Sequence, residues 1–102
     1  MPEKPPDYIK LLQAPTCSLA AFCHTHGLQI EVKWADQLGY YQAKFPQAEI
    51  KKGSFLVGEW GGGTTWQKAV DEYCRKISNS VLVIDSFKET RREINVPSLE
   101  RN

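Results

Sequence analysis

The side chains best suited to chemistry in this sequence belong to three cysteines and two histidines. They are Cys17, Cys23, His24, His26 and Cys74. Zinc sites use paired ligands at short spacings such as Cys-x2-Cys, so that two ligands from each element converge in a tetrahedron. Here Cys17 and Cys23 are six residues apart, and His24 and His26 point to different sides of a helix. We therefore predict no metal site, and we expect the odd number of cysteines to remain reduced thiols.

Nucleophilic and acid–base catalysis need partners that the sequence does not place together. A cysteine nucleophile needs a lowered thiol pKa and an oxyanion hole, and no segment marks either. Catalysis by paired carboxyl groups needs two acids that converge on one bond. Asp71 and Glu72 are adjacent and face different directions on a helix, while Glu59 and Asp85 lie on predicted strands. We therefore predict a protein with no enzymatic activity and no cofactor.

Three consecutive glycines, residues 61–63, join a strand-like run to a helix between Trp60 and Trp66. Backbone amides at a helix N-terminus attract anions, and glycines at positions 58 and 63 have the spacing of a phosphate loop. Such a loop continues with Lys and then Ser or Thr, whereas this chain continues with two threonines. We therefore interpret the glycines as a strand-to-helix turn. The residues retained as candidates for anion binding are Gly62, Gly63, Thr64 and Thr65.

Large aromatic side chains are numerous for a sheet that has only one face to bury. Tryptophan and tyrosine contribute strongly to protein interfaces because they bury a large area at a low entropy cost. The alternatives are that Trp60 and Trp66 close the core around the glycine turn, or that an aromatic groove stacks bases or a sugar. The predicted interface residues, with two arginines from a charged run near the end of the chain, are Trp34, Tyr41, Phe55, Trp60, Trp66, Arg91 and Arg92.

The elements that hold these residues begin with a helix predicted over residues 17–26. Thr16 is of a type that caps helix N-termini, and Gly27 can adopt the left-handed backbone that ends a helix. From residue 28 to residue 35 apolar and polar side chains alternate with a period of two, which predicts a half-buried strand.

A second helix is predicted over residues 65–78, because apolar side chains recur there at the spacing of one helix face. Thr64 lies three residues before Gln67, the spacing of a helix capping box. Further strands are predicted over residues 40–45, 54–60, 81–84 and 92–96, with residues 48–51 extending the pairing. The prediction is an α+β fold of helix, three-stranded antiparallel meander, amphipathic helix and two further strands, with the helices on one sheet face.

Composition indicates one globular domain, since 41% of the 102 residues are hydrophobic and 25% are charged. We place a proline-rich lead-in at residues 1–15, with a short helix over 8–13, the domain at 16–97 and a loose tail at 98–102. A net charge of +1 gives no electrostatic footprint for nucleic acid or an anionic membrane. The sequence has no apolar run of the membrane-spanning or signal-peptide type, so we expect a cytoplasmic protein.

The segment from residue 40 to residue 77 resembles the small domain of HicB-type antitoxins. In that domain a strand ending in Phe-Pro is followed by another strand and by a Thr-initiated helix that carries Ala. The matching residues, which lie in about a third of the chain, are Tyr41, Ala43, Phe45, Pro46, Thr65 and Ala69. The resemblance implies an antitoxin-like protein, and the compact chain is also similar to small accessory proteins of phages and prophages.

The order helix, three strands, helix over residues 16–78 is similar to a double-stranded-RNA-binding domain. Such domains contact phosphates through lysines clustered at the start of their last helix. Here that position holds Trp66, Gln67 and Lys68, followed by Asp71. The resemblance therefore implies the shape of that domain without its RNA contacts.

Two functions from different classes follow. The first is a small binding protein that regulates or inhibits a protein partner as a homodimer, joined through a sheet edge or an aromatic face. The alternative is a nucleic-acid-binding domain that uses a mixed basic and aromatic sheet face. Its cations are Lys33, Lys44, Lys51, Lys52, Arg91 and Arg92.

Overall fold

The computed structural model describes residues 16–101 and shows an α+β fold, as predicted. The lead-in and its short helix lie outside the described residues. In chain order the elements are β1 (Thr16–Ser18), α1 (Leu19–His26), β2 (Glu31–Ala35), β3 (Tyr40–Lys44), β4 (Ala48–Lys52), β5 (Phe55–Val57), β6 (Gly61–Gly63), α2 (Trp66–Ile77), β7 (Val81–Ile84), β8 (Arg92–Asn95) and β9 (Ser98–Glu100).

The strands form two antiparallel sheets and one short parallel pair. The first sheet has the order β2-β3-β6, and the second has the order β5-β4-β7-β8. Strand β1 pairs in parallel with β9, so that Thr16 lies opposite Ser98. The loose tail expected from residue 98 is therefore wrong over residues 98–100, which form a strand.

Helix α1 starts two residues later than predicted. Ser18, and not Thr16, is its N-cap: the Ser18 side chain accepts a hydrogen bond from the amide of Ala21 at 3.1 Å. Residues 16–18 are instead held extended by pairing with β9, which removes Thr16 from the cap position. Gly27 ends the helix with φ 65° and ψ 36°, as its position in the sequence predicts.

Helix α2 is also capped one residue away from the predicted capping box. The Thr65 hydroxyl accepts a hydrogen bond from the amide of Lys68 at 3.2 Å, while Thr64 is exposed. Thr65 has the extended backbone that an N-cap requires, with φ −125° and ψ 160°. The buried face of the helix carries Ala69, Val70, Tyr73, Cys74 and Ile77, and the predicted apolar stripe is confirmed except at Trp66, which is half exposed.

The three glycines form strand β6 and not the turn that the sequence indicates. Gly61 pairs with Ala43 and Gly63 pairs with Tyr41 at one side of the first sheet. A Cβ atom on Gly61 would overlap the carbonyl oxygen of Ala69, and one on Gly63 would lie 2.6 Å from Lys68 Cβ. Helix α2 therefore packs directly on the backbone of β6, which glycine alone permits.

The core joins the buried faces of both helices to buried side chains from both antiparallel sheets. Ile50, Leu82 and Ile94 are opposite one another on three adjacent strands and are all buried. Phe45 packs edge to face on Tyr73 of α2, with 5.6 Å between ring centroids, and lies 6.2 Å from Phe22 of α1. The aromatic side chains of Phe22, Phe45 and Tyr73 thus join the helices to the end of β3.

Candidate functional site

Two of the three cysteines lie where burial disfavours the thiolate. Cys74 is buried on α2, and burial raises its pKa to about 11, with a smaller contribution from the nearby Asp71 carboxylate. Burial also raises the pKa of Cys23. Both shifts oppose formation of the thiolate, which is the reactive species. His24 is exposed on α1, while the His26 ring packs on Phe22 with 4.6 Å between centroids.

A cleft of about 510 Å³ lies between α2 and β9 and includes Cys74. An ion pair between Arg101 and Asp71, at 2.7 Å, crosses one side of it. The Ser78 hydroxyl donates to the carbonyl of Cys74 and accepts from the amide of Leu99 at 2.9 Å. These polar groups hold β9 against α2, and the raised pKa of Cys74 disfavours its thiolate at neutral pH.

One of the amides proposed for anion binding already has a carboxylate partner within the chain. The amide of Gly62 donates to Glu72 Oε1 at 2.7 Å, so a carboxylate of the protein already occupies the place of an external anion. Thr65 uses its hydroxyl to cap α2. Gly63 lies under Lys68 and Thr64 is exposed beside it. An external anion would therefore have to displace Glu72 to reach the amide of Gly62.

A group of charged side chains surrounds the glycine junction, and it was not predicted from the sequence. Lys76 Nζ donates to the carbonyl oxygen of Trp60 at 2.9 Å and lies 3.5 Å from Glu59 Oε1 and 4.0 Å from Glu72 Oε1. The spacing of Glu72 and Lys76, four residues apart on one helix, was the available signal. The link to Glu59 could not be read locally, because it joins α2 to the connection before β6.

The structure brings together two of the predicted interface aromatics on the β2–β3 hairpin. Trp34 lies opposite Tyr41, and their rings meet edge to face with centroids 5.1 Å apart. Trp34 remains 49% exposed although it is held by this contact, and Leu38 at the hairpin turn is 50% exposed. We call Trp34, Leu38 and Tyr41 the hairpin patch. Leu38 was not predicted, because it lies within turn residues.

A cleft of about 430 Å³ adjoins the hairpin patch. Lys33, Trp34, Leu38 and Gln42 line it together with the turn residues between the strands. Its position at the tip of a hairpin places an exposed indole beside polar side chains and a positive charge. This combination of an aromatic centre and a polar rim is typical of protein-binding surfaces.

The remaining predicted aromatics lie elsewhere. Trp60 is 42% exposed in a smaller cleft of about 260 Å³, which also contains Phe45, Ala48, Glu49 and Glu59. We call this the Trp60 cleft. Phe55 is 73% exposed on β5, and Trp66 is 50% exposed at the first position of α2. Trp60 and Trp66 therefore do not close the core, since both keep large exposed areas.

The predicted basic residues are distributed over two sheets. Lys33 and Lys44 lie on β2 and β3 of the first sheet. Lys51 and Arg91 both bind Glu93, at 3.3 Å and 3.2 Å, next to β4 and β8 of the second sheet. The single basic face expected for nucleic acid is therefore not formed by all six cations together.

Several of these cations are also paired. Hydrogen bonds from Arg91, and then from Lys51, lower the pKa of the Glu93 carboxyl. Arg92 donates to the carbonyl oxygen of His26 at 2.6 Å, and Lys52 lies 3.8 Å from Glu59. Lys33 and Lys44 are thus the cations of this set with the freest access to an external partner.

Phe87 is a prominent exposed side chain that the sequence did not single out. It is 96% exposed in the loop of residues 85–91, which we call the Phe87 loop. The loop is held by hydrogen bonds from the amide of Lys88 to the carbonyl of Asp85, at 2.9 Å, and from the Thr90 hydroxyl to the Asp85 carboxylate, at 2.8 Å. The signal available in the sequence was a single phenylalanine within a polar run, where the pattern of apolar residues assigns no buried position to it.

Residues 16–101 contain no helix with the length and apolar composition that crossing a bilayer requires. Within the same residues, no group of three histidine, cysteine or acidic side chains is arranged to hold a metal ion. The chain matches no protein-family model, no curated protein and no solved structure.

Proposed function

We propose that this chain is a small, cytoplasmic, non-enzymatic binding protein that docks the hairpin patch on a protein partner and regulates or inhibits that partner. The observation that carries the proposal is the exposed indole of Trp34, held edge to face by Tyr41. The HicB-like segment supports an antitoxin-like or phage-encoded regulator as its biological class. We further propose that the active form is a homodimer.

Pre-organisation makes the Trp34 side chain an effective anchor. A tryptophan that already has a fixed orientation loses less conformational entropy on binding than a free one. Tyr41 is part of the sheet, in register with Gly63, so the ring that holds Trp34 is itself fixed by backbone pairing. Anchors of this type account for about 2 kcal/mol or more of binding free energy when they are truncated to alanine.

The test begins with affinity capture from the native cell, followed by reconstitution with the purified captured protein. We expect Trp34→Ala to weaken binding about 30-fold, which corresponds to about 2 kcal/mol. Phe55→Ala is the matched control, because it removes an exposed aromatic from a different sheet. Equal affinity of the Trp34→Ala and wild-type chains for the partner, or no captured protein at all, would overturn the proposal.

Nucleic-acid binding is the second candidate, and one feature favours it. Lys33, Tyr40, Gln42 and Lys44 lie on the face of the first sheet opposite α2, with the Tyr40 ring over Gly62. A helix-free sheet face with aromatic and basic side chains can stack single-stranded bases. Two phosphate contacts predict an affinity for single strands that falls about sevenfold when salt rises fourfold. Fluorescence anisotropy with a labelled oligonucleotide measures this, and an affinity that does not change with salt would exclude it.

A further inference from the structure

We infer that the Phe87 loop of one copy of this chain docks into the Trp60 cleft of a second copy, so that two reciprocal contacts form a symmetric dimer. This names the surface of the proposed homodimer and does not use the hairpin patch. Because the two surfaces are separate, a test can refute partner binding and leave the dimer intact, or the reverse.

The Phe87 side chain has the properties of an interface anchor. It is 96% exposed and makes no contribution to the core, so the fold gives no reason for a large apolar side chain there. Its loop is nevertheless ordered by backbone hydrogen bonds from Lys88 to Asp85 and from Arg91 to Lys88, at 2.9 Å and 3.0 Å. A fully exposed aromatic on an ordered loop loses little entropy when a partner buries it.

The Trp60 cleft has the size and lining to receive this side chain. Its volume is about 260 Å³, whereas a cavity of roughly 150 Å³ accepts a benzene ring. Trp60, which is 42% exposed, and the half-buried Ala48 supply the accessible apolar surface, while Phe45 is already buried in the core. Docking would cover the exposed rings of Phe87 and Trp60 with one contact.

Charges around the loop and the cleft are complementary. Lys88 and Glu89 follow Phe87, and Glu49 and Lys44 line the cleft. None of these four side chains has an ion-pair partner within residues 16–101. Glu49 Oε1 is buried without a hydrogen-bond partner in the described chain, which is an energetic cost that an approaching cation reduces.

The relative position of the two features permits reciprocal docking. The amide of Asp85, at the start of the loop, donates to the carbonyl of Gln47, a residue of the cleft, at 2.9 Å. The loop and the cleft therefore lie side by side on one molecule. A two-fold axis between them brings each Phe87 to the cleft of the other copy, which is the self-complementary arrangement of a closed dimer.

Sedimentation velocity of the full chain, over roughly 10 µM to 1 mM, measures the association expected for a small interface. We expect a reversible dimer, and Phe87→Ala to raise its dissociation constant about 100-fold or more, because the dimer loses two buried rings. Phe55→Ala removes an exposed ring of the same size and is expected to leave the constant unchanged. A monomer throughout this range, or a dimer that Phe87→Ala does not weaken, would refute the inference.

A charge exchange tests the pairing directly. Lys88→Glu and Glu49→Lys are each expected to weaken the dimer, while the chain carrying both is expected to recover most of the loss, because the charges then pair again across the interface. Circular dichroism of each variant establishes that it is folded. Folded single variants that dimerise like the wild type, or a double variant that shows no recovery, would contradict the assigned contact.

Discussion

The contact between α2 and the glycine strand predicts a graded response to added methyl groups. In Gly61→Ala the new Cβ overlaps the Ala69 carbonyl oxygen and lies 2.8 Å from Tyr73 Cβ. The conflicting atoms belong to the backbone and the first side-chain atom of a packed helix, so relief requires the helix to move. Neither Gly61 nor Gly63 has positive φ, and the expected penalty is therefore steric alone.

The magnitude follows from two opposing effects. Overpacking of this kind destabilises a domain by about 1–3 kcal/mol, while replacing glycine restricts the unfolded chain and returns about 0.4–1 kcal/mol. Because the overlap at Gly61 is with helix backbone atoms, the upper end of the overpacking range applies. We therefore expect a net loss of about 2 kcal/mol for Gly61→Ala, which lowers Tm by about 8–16 °C in a domain of this size. Gly63→Ala, 2.7 Å from the amide of Ala69, should behave similarly.

Two further glycines supply the matched controls. Gly58 has no atom within 4 Å of an added Cβ and no positive φ, so Gly58→Ala is expected to leave Tm unchanged or slightly raised. In Gly62→Ala the nearest atom is Tyr40 Cζ at 3.3 Å, at the far end of a side chain that can shift, and we expect a loss below about 1 kcal/mol. Thermal unfolding followed by circular dichroism measures all four variants. Equal midpoints for Gly61→Ala and Gly58→Ala would refute the close packing of α2 on β6.

Three more predictions concern single groups. Thr65→Ala should lower the unfolding free energy in denaturant titrations by about 1 kcal/mol, and Thr64→Ala should not, because only Thr65 caps α2. The pKa of Cys74 is raised to about 11, so the neutral buried thiol contributes stability to the folded state below pH 9, and this contribution is lost as pH rises through 11. Because the thiolate is the reactive form, thiol reagents should label Cys74 last of the cysteines. The pKa of Glu93 is lowered, so its stabilising effect is present above about pH 4.5 and is lost in acid. Acid titration of Glu93→Gln should show a smaller loss.

The sequence predicts the elements whose signals are local. The left-handed stop at Gly27 and the apolar face of α2 are confirmed, because each depends on residues within a few turns of helix. The strand at β6 could not be predicted, since glycine has no side chain to alternate and a low strand propensity. The approach of α2 to the backbone explains the glycines at positions 61 and 63, while the Tyr40 ring lies over Gly62 on the other face.

The candidate surfaces also divide into one that depends on neighbouring residues and one that depends on tertiary contacts. Trp34 and Tyr41 lie on either side of one hairpin turn, so they are close in sequence as well as in space. The sequence therefore suffices to name both as interface candidates. The proposed docking of Phe87 at Trp60 depends on the hydrogen bond from the amide of Asp85 to the carbonyl of Gln47, because this bond places the loop beside the cleft. These two residues are far apart in the sequence. Such tertiary contacts have no periodicity or spacing that a single sequence displays.

The parallel pairing of β1 with β9 has a consequence for synthesis. These strands are about eighty residues apart in the chain, so at 5–20 residues per second β1 waits several seconds for its partner to be translated. Until then Leu99 is absent from the side of α2, and Ser78 lacks the amide that it later binds. The elements made before β9 therefore fold with this side of the core open, and closure there follows the synthesis of β9.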